Sequence, residues 1–418
     1  MEQYDRLYTL YDTVDTETLR AYQEFVDLFP PLSTTVALEQ WDEARAELDE
    51  RKRAIATRFP EAGGTYAELA ARLTREEAFT ALDLYQKYGR TVNVLVLDVD
   101  ETLRSAGDTD NEIPRETLFL LTEFHERGIP IVVCTGQTLE NVKGFMIQGL
   151  GNDIVGSGLL SVVYETGNAV FTPGKGPDTK RLLYEGLDPV IVETLDVVRG
   201  RVLAEAPDSV RAGCHLQGNE FNVTIKPNAE VGSEAAVAVI DEALRSFCGL
   251  VGRALSEAVD AEVSDPELLA RSYLAKDPEI AAVFDDGGLA RDGDLAAAPE
   301  PFRDAIERLD VGYYEGDAIE LVSLELDKPT GVREALDVLG IEDPFALSMG
   351  DSKSDLRVME WLADTDSGIA AAPDHASEGV LDHVREHDGL VYEAGEAGDI
   401  LRIVYGMMLL AELAQSEG

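Results

Sequence analysis

Two aspartates, Asp98 and Asp100, stand two residues apart at the end of an apolar run, and the hydroxyl of Thr102 follows them. The run, VNVLVLDVDET, is typical of a strand that is buried on both faces of a parallel sheet. Carboxylates held this close can act as a nucleophile, as a general acid or base, or as ligands of a hard cation. In a chain so rich in acid the pair could equally be a solvated turn, so the pair alone decides nothing.

Three further segments place polar side chains where an apolar run ends or a helix begins. Thr135 follows the strand-like IVVC, Lys328 precedes a helical pattern, and Asp351 and Asp355 follow FALSM. Ligands of open α/β sheets bind beyond the carboxyl ends of the strands. The order and position of the four segments therefore favour one shared site over four unrelated turns.

The segments DVDET, VVCTG, LDKPTG and GDSKSDL resemble the four motifs of the haloacid dehalogenase superfamily, in their usual order and over residues 91–418. The resemblance implies a phosphatase in which Asp98 attacks phosphorus and forms an aspartyl-phosphate. Asp100 would protonate the leaving alkoxide and later take a proton from the hydrolytic water. The dehalogenase branch is disfavoured because it lacks the second acid that Asp100 supplies.

The resemblance also implies a Mg²⁺ site and a phosphate site. The metal would be held by the Asp98 side chain, the Asp100 carbonyl and Asp351, in keeping with the preference of Mg²⁺ for hard oxygen ligands. Phosphate would be held by Lys328, the Thr135 hydroxyl and the backbone at Gly136. Asp355 and Ser354 would support the metal ligands or the lysine from behind.

The chain departs from the family pattern at two places. Glu101 stands where many sugar phosphatases of the superfamily have glycine, so the loop can bend differently. Ser354 replaces a common asparagine, which puts one contact around the metal in question.

About 150 residues separate the second and third motifs, after SVVYETGNAVF, which resembles a segment of Cof-like sugar phosphatases. That subclass, whose relatives include sucrose-phosphate phosphatases and phosphomannomutases, carries a large α/β cap here, and the cap selects the leaving group and excludes water. The candidates for substrate contact are Arg211, His215, Glu220, Asn222 and Lys226. Each of them is also typical of a cap surface or a hairpin.

The periodicity of the chain predicts the elements that position these residues. Residues 1–90 show helical spacing with breaks at Pro30-Pro31 and at Glu61-Ala-Gly-Gly64, which predicts three or four helices. From residue 91 strands and helices alternate, and FNVTIKP and YYEGDAIELVSLEL indicate a strand and a hairpin farther on. We therefore predict an α/β fold in four segments: an N-terminal helical extension (1–90), a doubly wound, Rossmann-like parallel sheet core (91–171 and 326–418) and an inserted α+β cap domain (172–325).

The composition indicates the cellular environment of the protein and limits the classes of partner that it can bind. The chain has 81 Asp and Glu against 35 Lys and Arg, a formal charge of −46, which favours a salt-rich cytoplasm such as that of a halophilic archaeon. It lacks a Lys/Arg stripe to replace phosphate counterions, so we expect neither nucleic acid nor an anionic membrane as partner. An acidic start and a short apolar stretch, IVYGMMLLAELA, indicate neither signal peptide nor membrane span.

Three functional hypotheses remain at this point. The first is Mg²⁺-dependent hydrolysis of a small phosphorylated metabolite, most plausibly a sugar phosphate. The second is a phosphomutase or phosphotransferase that moves the phosphoryl group to another hydroxyl. The third is a phosphate-sensing scaffold protein whose residues 1–90 recruit a partner. The apolar faces of those helices would pack on the core, on the cap, or on a second subunit in a homo-oligomer.

Overall fold

The computed structural model describes residues 2–29, 35–59, 62–104, 113–218, 221–259 and 261–416. The chain divides into two compact units, one of residues 1–181 with 331–418 and the other of residues 182–330. The predicted α/β class is confirmed, with a mostly parallel central sheet and many helices. Glu220, one of the predicted cap contacts, lies outside the described residues.

Twelve strands and eighteen α-helices make up the described chain. The strands are β1 (Val94–Asp98), β2 (Ile131–Cys134), β3 (Leu160–Tyr164), β4 (Ala169–Phe171), β5 (Arg181–Leu182), β6 (Cys214–Gln217), β7 (Asn222–Pro227), β8 (Leu309–Tyr314), β9 (Ala318–Ser323), β10 (Ala346–Met349), β11 (Gly368–Pro373) and β12 (Leu390–Tyr392). The helices are α1 (Glu2–Thr13), α2 (Thr16–Leu28), α3 (Thr35–Arg58), α4 (Gly63–Arg72), α5 (Arg75–Tyr88), α6 (Arg115–Glu126), α7 (Leu139–Gly144), α8 (Gly151–Gly156), α9 (Pro189–Glu205), α10 (Asp208–Gly213), α11 (Ser233–Ala258), α12 (Pro266–Leu274), α13 (Pro278–Asp286), α14 (Glu300–Ile306), α15 (Lys328–Leu339), α16 (Lys353–Asp364), α17 (Glu378–Glu386) and α18 (Ala397–Ser416).

The sheet of the first unit has the order β12-β11-β10-β1-β2-β3-β4-β5. Neighbours from β12 to β3 are parallel, and β4 is antiparallel to β3. In this register Leu97 lies beside Met349, and Asp98 lies beside Cys134. The carboxyl ends of β1, β2 and β10 therefore meet at one edge, where the predicted motifs follow them.

Among the residues that the structure describes before β1 there are five α-helices, which corrects the prediction of three or four. The breaks that the sequence did not reveal lie at Asp15 and Thr74, where side chains cap the next helix. Asp15 accepts a hydrogen bond from the amide of Thr18 at 3.2 Å. Thr74 and Glu77 form a reciprocal capping box. Such caps begin a helix without proline or glycine, and so they are easily missed in an amphipathic pattern. The expected break at Pro30-Pro31 lies outside the described residues.

The N-terminal helices pack on the core of their own unit. α18 lies against α5 and the residue that ends α4 so closely that a Cβ on Gly406 would stand 2.3 Å from Leu73 Cδ2 and 3.2 Å from Ala81 Cβ. The Arg72 guanidinium joins three helices through Asp27 at 3.0 Å, Glu68 at 3.2 Å and Glu123 at 3.2 Å. The sequence left open whether the apolar faces of residues 1–90 pack on the core, on the cap or on a second subunit. In the structure these helices pack on the core.

The second unit is built on an antiparallel sheet of order β6-β7-β9-β8, in which β8 and β9 form the predicted hairpin. One face of this sheet buries apolar side chains such as Val223 and Leu321 in a core shared with α9 and α11. Strand alternation gives the opposite face polar residues, among them Thr224 and its register partner Glu320. No helix in the described part of the chain combines the length and apolar character needed to cross a bilayer.

Candidate active site

Asp98 is the last residue of β1, and its side chain is buried, with 6% exposed. A turn follows in which Glu101 has φ of 59°, the left-handed region that favours glycine. The Nε2–H of His375 donates to the Glu101 carbonyl at 3.0 Å. Glu101 thus holds, without glycine, a positive φ that glycine adopts at lower cost.

Asp351 and Asp355 come from the segment after β10. Asp355 lies in the first turn of α16, where its Oδ2 accepts hydrogen bonds from the Ser352 amide at 3.2 Å and the Ser352 hydroxyl at 2.7 Å. The Ser354 hydroxyl lies 3.0 Å from that of Ser352. Gly350 is required because a Cβ there would stand 2.3 Å from Asp355 Cβ. This close approach holds α16 against the end of β10.

The three aspartates Asp98, Asp351 and Asp355 converge. One carboxylate oxygen of each lies within 4.8 Å of the others. Asp98 and Asp355 are buried, and Asp351 is half-buried. Three hard oxygen donors without histidine or cysteine suit Mg²⁺ or a similar hard cation. The side chain of Asp355 therefore stands among the candidate ligands themselves, closer in than the supporting position expected from the sequence.

The Asp100 side chain makes a separate set of contacts. Its Oδ2 accepts a hydrogen bond from Gln137 Nε2 at 2.6 Å, and its Oδ1 lies 3.3 Å from Arg104 Nη1. A small cleft beside it is lined by Val99, Asp100, Arg104, Thr135, Gln137, Asn141, Val142 and Phe145. Both partners of Asp100 were missed in the sequence, although Gln137 directly follows VVCTG and Arg104 comes two residues after DVDET.

Thr135 is buried at the end of β2, and its hydroxyl accepts the amide hydrogen of Gln137 at 3.0 Å. Gly136 next to it is exposed. Lys328 is buried, with 3% exposed, and begins α15. It belongs to the second unit, so its approach to the three aspartates stays a prediction.

Tyr392, at the end of β12, is a contributor that the sequence did not reveal. It is buried, and its hydroxyl donates to the Thr102 carbonyl at 3.2 Å. Burial, followed by the charges of Asp351, Asp98 and Asp355, raises the pKa of Tyr392 well above its ordinary value. The Tyr392 hydroxyl therefore lies in the negative potential of the three aspartates. An aromatic residue in a short edge strand gives no sequence signal of this role.

The predicted cap contacts lie on α10, β6 and β7 of the second unit. Arg211 is exposed and pairs with Asp208 one turn earlier in α10. His215 and Lys226 are register partners across β6 and β7. His215 Nδ1 lies 3.1 Å from Asn228 Oδ1, and Lys226 Nζ lies 3.2 Å from Asp317 Oδ2. The register brings His215 and Lys226 together, whereas Arg211 lies on α10, outside the sheet.

A half-buried carboxyl, Glu320, lies beside these residues on β9. It accepts hydrogen bonds from Asn222 Nδ2 at 2.9 Å and Thr224 Oγ1 at 3.4 Å. Desolvation raises the pKa of Glu320, against the opposing effect of these hydrogen bonds and of Lys328 and Lys226. Asn222 was among the sequence candidates, whereas Glu320 was not.

Comparison with known proteins found similarity at the level of structure only. No protein-family model and no curated protein matches the chain. Among solved structures, a haloacid dehalogenase subclass IIB sugar phosphatase aligns at 15% identity over 76% of this chain and 99% of that chain, with a TM-score of 0.43. A sucrose-phosphatase from Synechocystis, solved with sucrose and phosphate, aligns at 13% identity over 76% and 99%, with a TM-score of 0.42. A haloacid dehalogenase superfamily phosphatase from Bacteroides thetaiotaomicron aligns at 14% identity over 76% and 96%, with a TM-score of 0.43.

Proposed function

We propose that this protein is a Mg²⁺-dependent phosphohydrolase that cleaves a small phosphate monoester through an aspartyl-phosphate. The observation that carries the proposal is the convergence of Asp98, Asp351 and Asp355 within 4.8 Å at the carboxyl edge of a parallel sheet. A buried carboxylate cluster costs free energy unless a cation or proton compensates it. Beside the cluster, Asp100 offers a fourth carboxyl group that is held by other partners.

Each of these carboxyl groups has a distinct task in the proposed reaction. An oxygen of Asp98 forms a bond to phosphorus while the bond from phosphorus to the leaving oxygen breaks, and Asp100 gives that oxygen a proton. Water then attacks phosphorus and passes a proton to Asp100, and the bond to Asp98 breaks. Arg104 and Gln137 hold the Asp100 carboxyl in one orientation through both steps.

Asp98, Asp351 and Asp355 would hold the metal, together with the Asp100 carbonyl. Bound Mg²⁺ supplies charge neutralisation for a phosphate dianion that approaches a cluster of carboxylates. Thr135 and the backbone at Gly136 would bind the transferring oxygens, and Lys328 would add a cation.

We further propose that the substrate is a sugar phosphate. The support comes from the resemblance of the four motifs and from the polar sheet face of the second unit. There Asn222, Thr224 and Glu320 form a network of donors and acceptors that suits a polyol, since hydroxyl groups both donate and accept hydrogen bonds. His215 and Lys226 lie on the same face.

The test is phosphate release from a panel of sugar phosphates with Mg²⁺, in molar salt because of the charge of −46. We expect Asp98→Asn to lower kcat at least about 10³-fold and to abolish the covalent phosphoenzyme seen by mass spectrometry. We expect Asp100→Asn to lower kcat by about 10² to 10⁴-fold. Full activity of Asp98→Asn would refute the assignment of Asp98 as the nucleophile. Isomeric sugar phosphates formed without free phosphate would instead assign the mutase reaction.

A further inference from the structure

The exposed apolar side chains of this protein concentrate on its N-terminal helices. Seven large hydrophobic side chains are exposed among the described residues, and five of them belong to α1, α2, α3 and the residue after α2. They are Tyr8, Phe25, Phe29, Val36 and Leu38, with 40% to 65% of the surface exposed. A shallow groove between α2 and α3 is lined by Glu17, Thr18, Ala21, Tyr22, Phe25, Gln40 and Ala44. In so acidic a chain these exposed apolar side chains mark the N-terminal helices as a candidate contact surface.

The charges of α3 are divided between its two ends. Residues 35–50 carry six acidic residues and one basic residue, a net charge of −5, whereas residues 51–58 carry four basic residues and none that is acidic, a net charge of +4. The whole helix therefore carries −1 in a chain of −46. Two copies of a self-repelling protein meet with least repulsion where the local charge is near zero.

Helix dipole effects do not account for this division. They favour acids in the first turn and bases in the last turn and fade beyond them. Glu50 and Arg53 stand in the middle of α3, and both are exposed. Among the described residues, Arg53 and Arg58 pair with no carboxylate; Arg53 donates only to the Asp49 carbonyl, at 3.0 Å.

We infer that the α2–α3 face binds a second copy of this chain, with the two α3 helices antiparallel about a two-fold axis. An antiparallel arrangement places each acidic half against the basic half of its partner, so the surface is complementary to itself. The exposed Arg53 and Arg58 of one copy reach the acidic half of the other, which holds Glu39 and Glu43. Tyr22 and Phe25 line the groove beside that half. The Arg51 guanidinium of the same chain already lies over the Tyr22 ring, 5.6 Å from its centroid, so Phe25 is the aromatic side chain that is offered to a guanidinium of the partner.

The experiment measures the mass of the full chain in solution by sedimentation equilibrium, over a range of protein concentrations and at an ionic strength that screens the overall charge. We expect the wild-type chain to form dimers. Two double variants, Arg53→Glu with Arg58→Glu and Glu39→Arg with Glu43→Arg, should each raise the dissociation constant at least about tenfold, because each sets like charges against each other.

The decisive measurement is the mass of an equimolar mixture of the two variants. In a mixed dimer one contact is native and the other has both charges reversed, so the mixture should regain the dimer mass. Arg385→Glu, a reversal of an exposed arginine on α17, serves as the matched control and should leave the mass of the wild type unchanged. A wild-type chain that stays monomeric, variants that stay dimeric, or a mixture that stays monomeric would each overturn the inference. Circular dichroism establishes that both variants are folded.

Discussion

The hydroxyl of Thr102 donates a hydrogen bond to Asp351 Oδ1 at 3.2 Å, across 249 residues of sequence. It joins the turn after β1 to the segment after β10, the two stretches that supply the carboxylate cluster. Thr102 is itself buried, and its carbonyl accepts a hydrogen bond from Tyr392. The position of Asp351 therefore depends on residues from three separate parts of the chain.

Removing this hydroxyl should weaken metal binding. Thr102→Val keeps the volume and deletes one hydrogen bond to a carboxylate, which is worth about 1.5 to 3 kcal/mol. If most of that free energy serves to position Asp351, the Mg²⁺ concentration for half-maximal activity rises about tenfold or more. A Mg²⁺ titration of activity measures it, and Thr365→Val on the exposed end of α16 is the control. An unchanged Mg²⁺ requirement in Thr102→Val would contradict the role of the contact.

Gln137 should affect the rate through Asp100. Gln137→Ala removes the hydrogen bond of 2.6 Å that orients the Asp100 carboxyl. We expect kcat to fall about tenfold to a hundredfold with little change in KM, since the contact serves proton transfer. In the Asp100→Asn background the same change should have little further effect, because the two residues act as one unit. Additive losses in the double variant would show that Gln137 acts elsewhere.

Tyr392 should make the protein sensitive to alkali. The pKa of Tyr392 in the folded protein lies well above the value near 10 of an unfolded tyrosine. Below pH of about 10 both states hold the proton and the stability is fully present; above it only the unfolded state releases the proton. The free energy of unfolding then falls by up to about 1.4 kcal/mol per pH unit from this group. Urea titrations between pH 9 and 11 should show a shallower fall for Tyr392→Phe, and an identical slope would contradict the prediction.

Arg72 should anchor the N-terminal helices. Its side chain is 12% exposed and pairs with carboxylates of α2, α4 and α6. Arg72→Ala leaves Asp27, whose pKa is already raised by burial, without its cation. We expect a loss of about 3 kcal/mol in the free energy of unfolding, measured in urea. Arg385→Ala, which removes an exposed arginine 3.9 Å from Asp382, should change it by less than about 1 kcal/mol. Equal effects of the two changes would rule out an anchoring role.

The sequence by itself determined the α/β class and the strand ends that carry the carboxylate cluster. It could do so because apolar runs such as VNVLVLDVD and FALSMGD mark buried strands, and because parallel strands bring their carboxyl ends to one edge. The motifs follow these strands directly, so strand position favoured one shared site, and the resemblance of the motifs implied that Asp98 and Asp351 meet there. The β8–β9 hairpin was likewise predicted from the alternation of apolar and polar residues in its sequence.

Only the tertiary structure decided which side chains contact one another. Asp355 joins the cluster because Gly350 lets α16 approach, and Asp100 turns to Arg104 and Gln137. Tyr392 and His375 contact the turn after β1 from 290 and 274 residues away in the sequence. The side chains that begin α2 and α5 resemble any other surface threonine or aspartate in the sequence. Such contacts depend on distances between elements, which periodicity does not encode because it fixes only the face on which a residue lies.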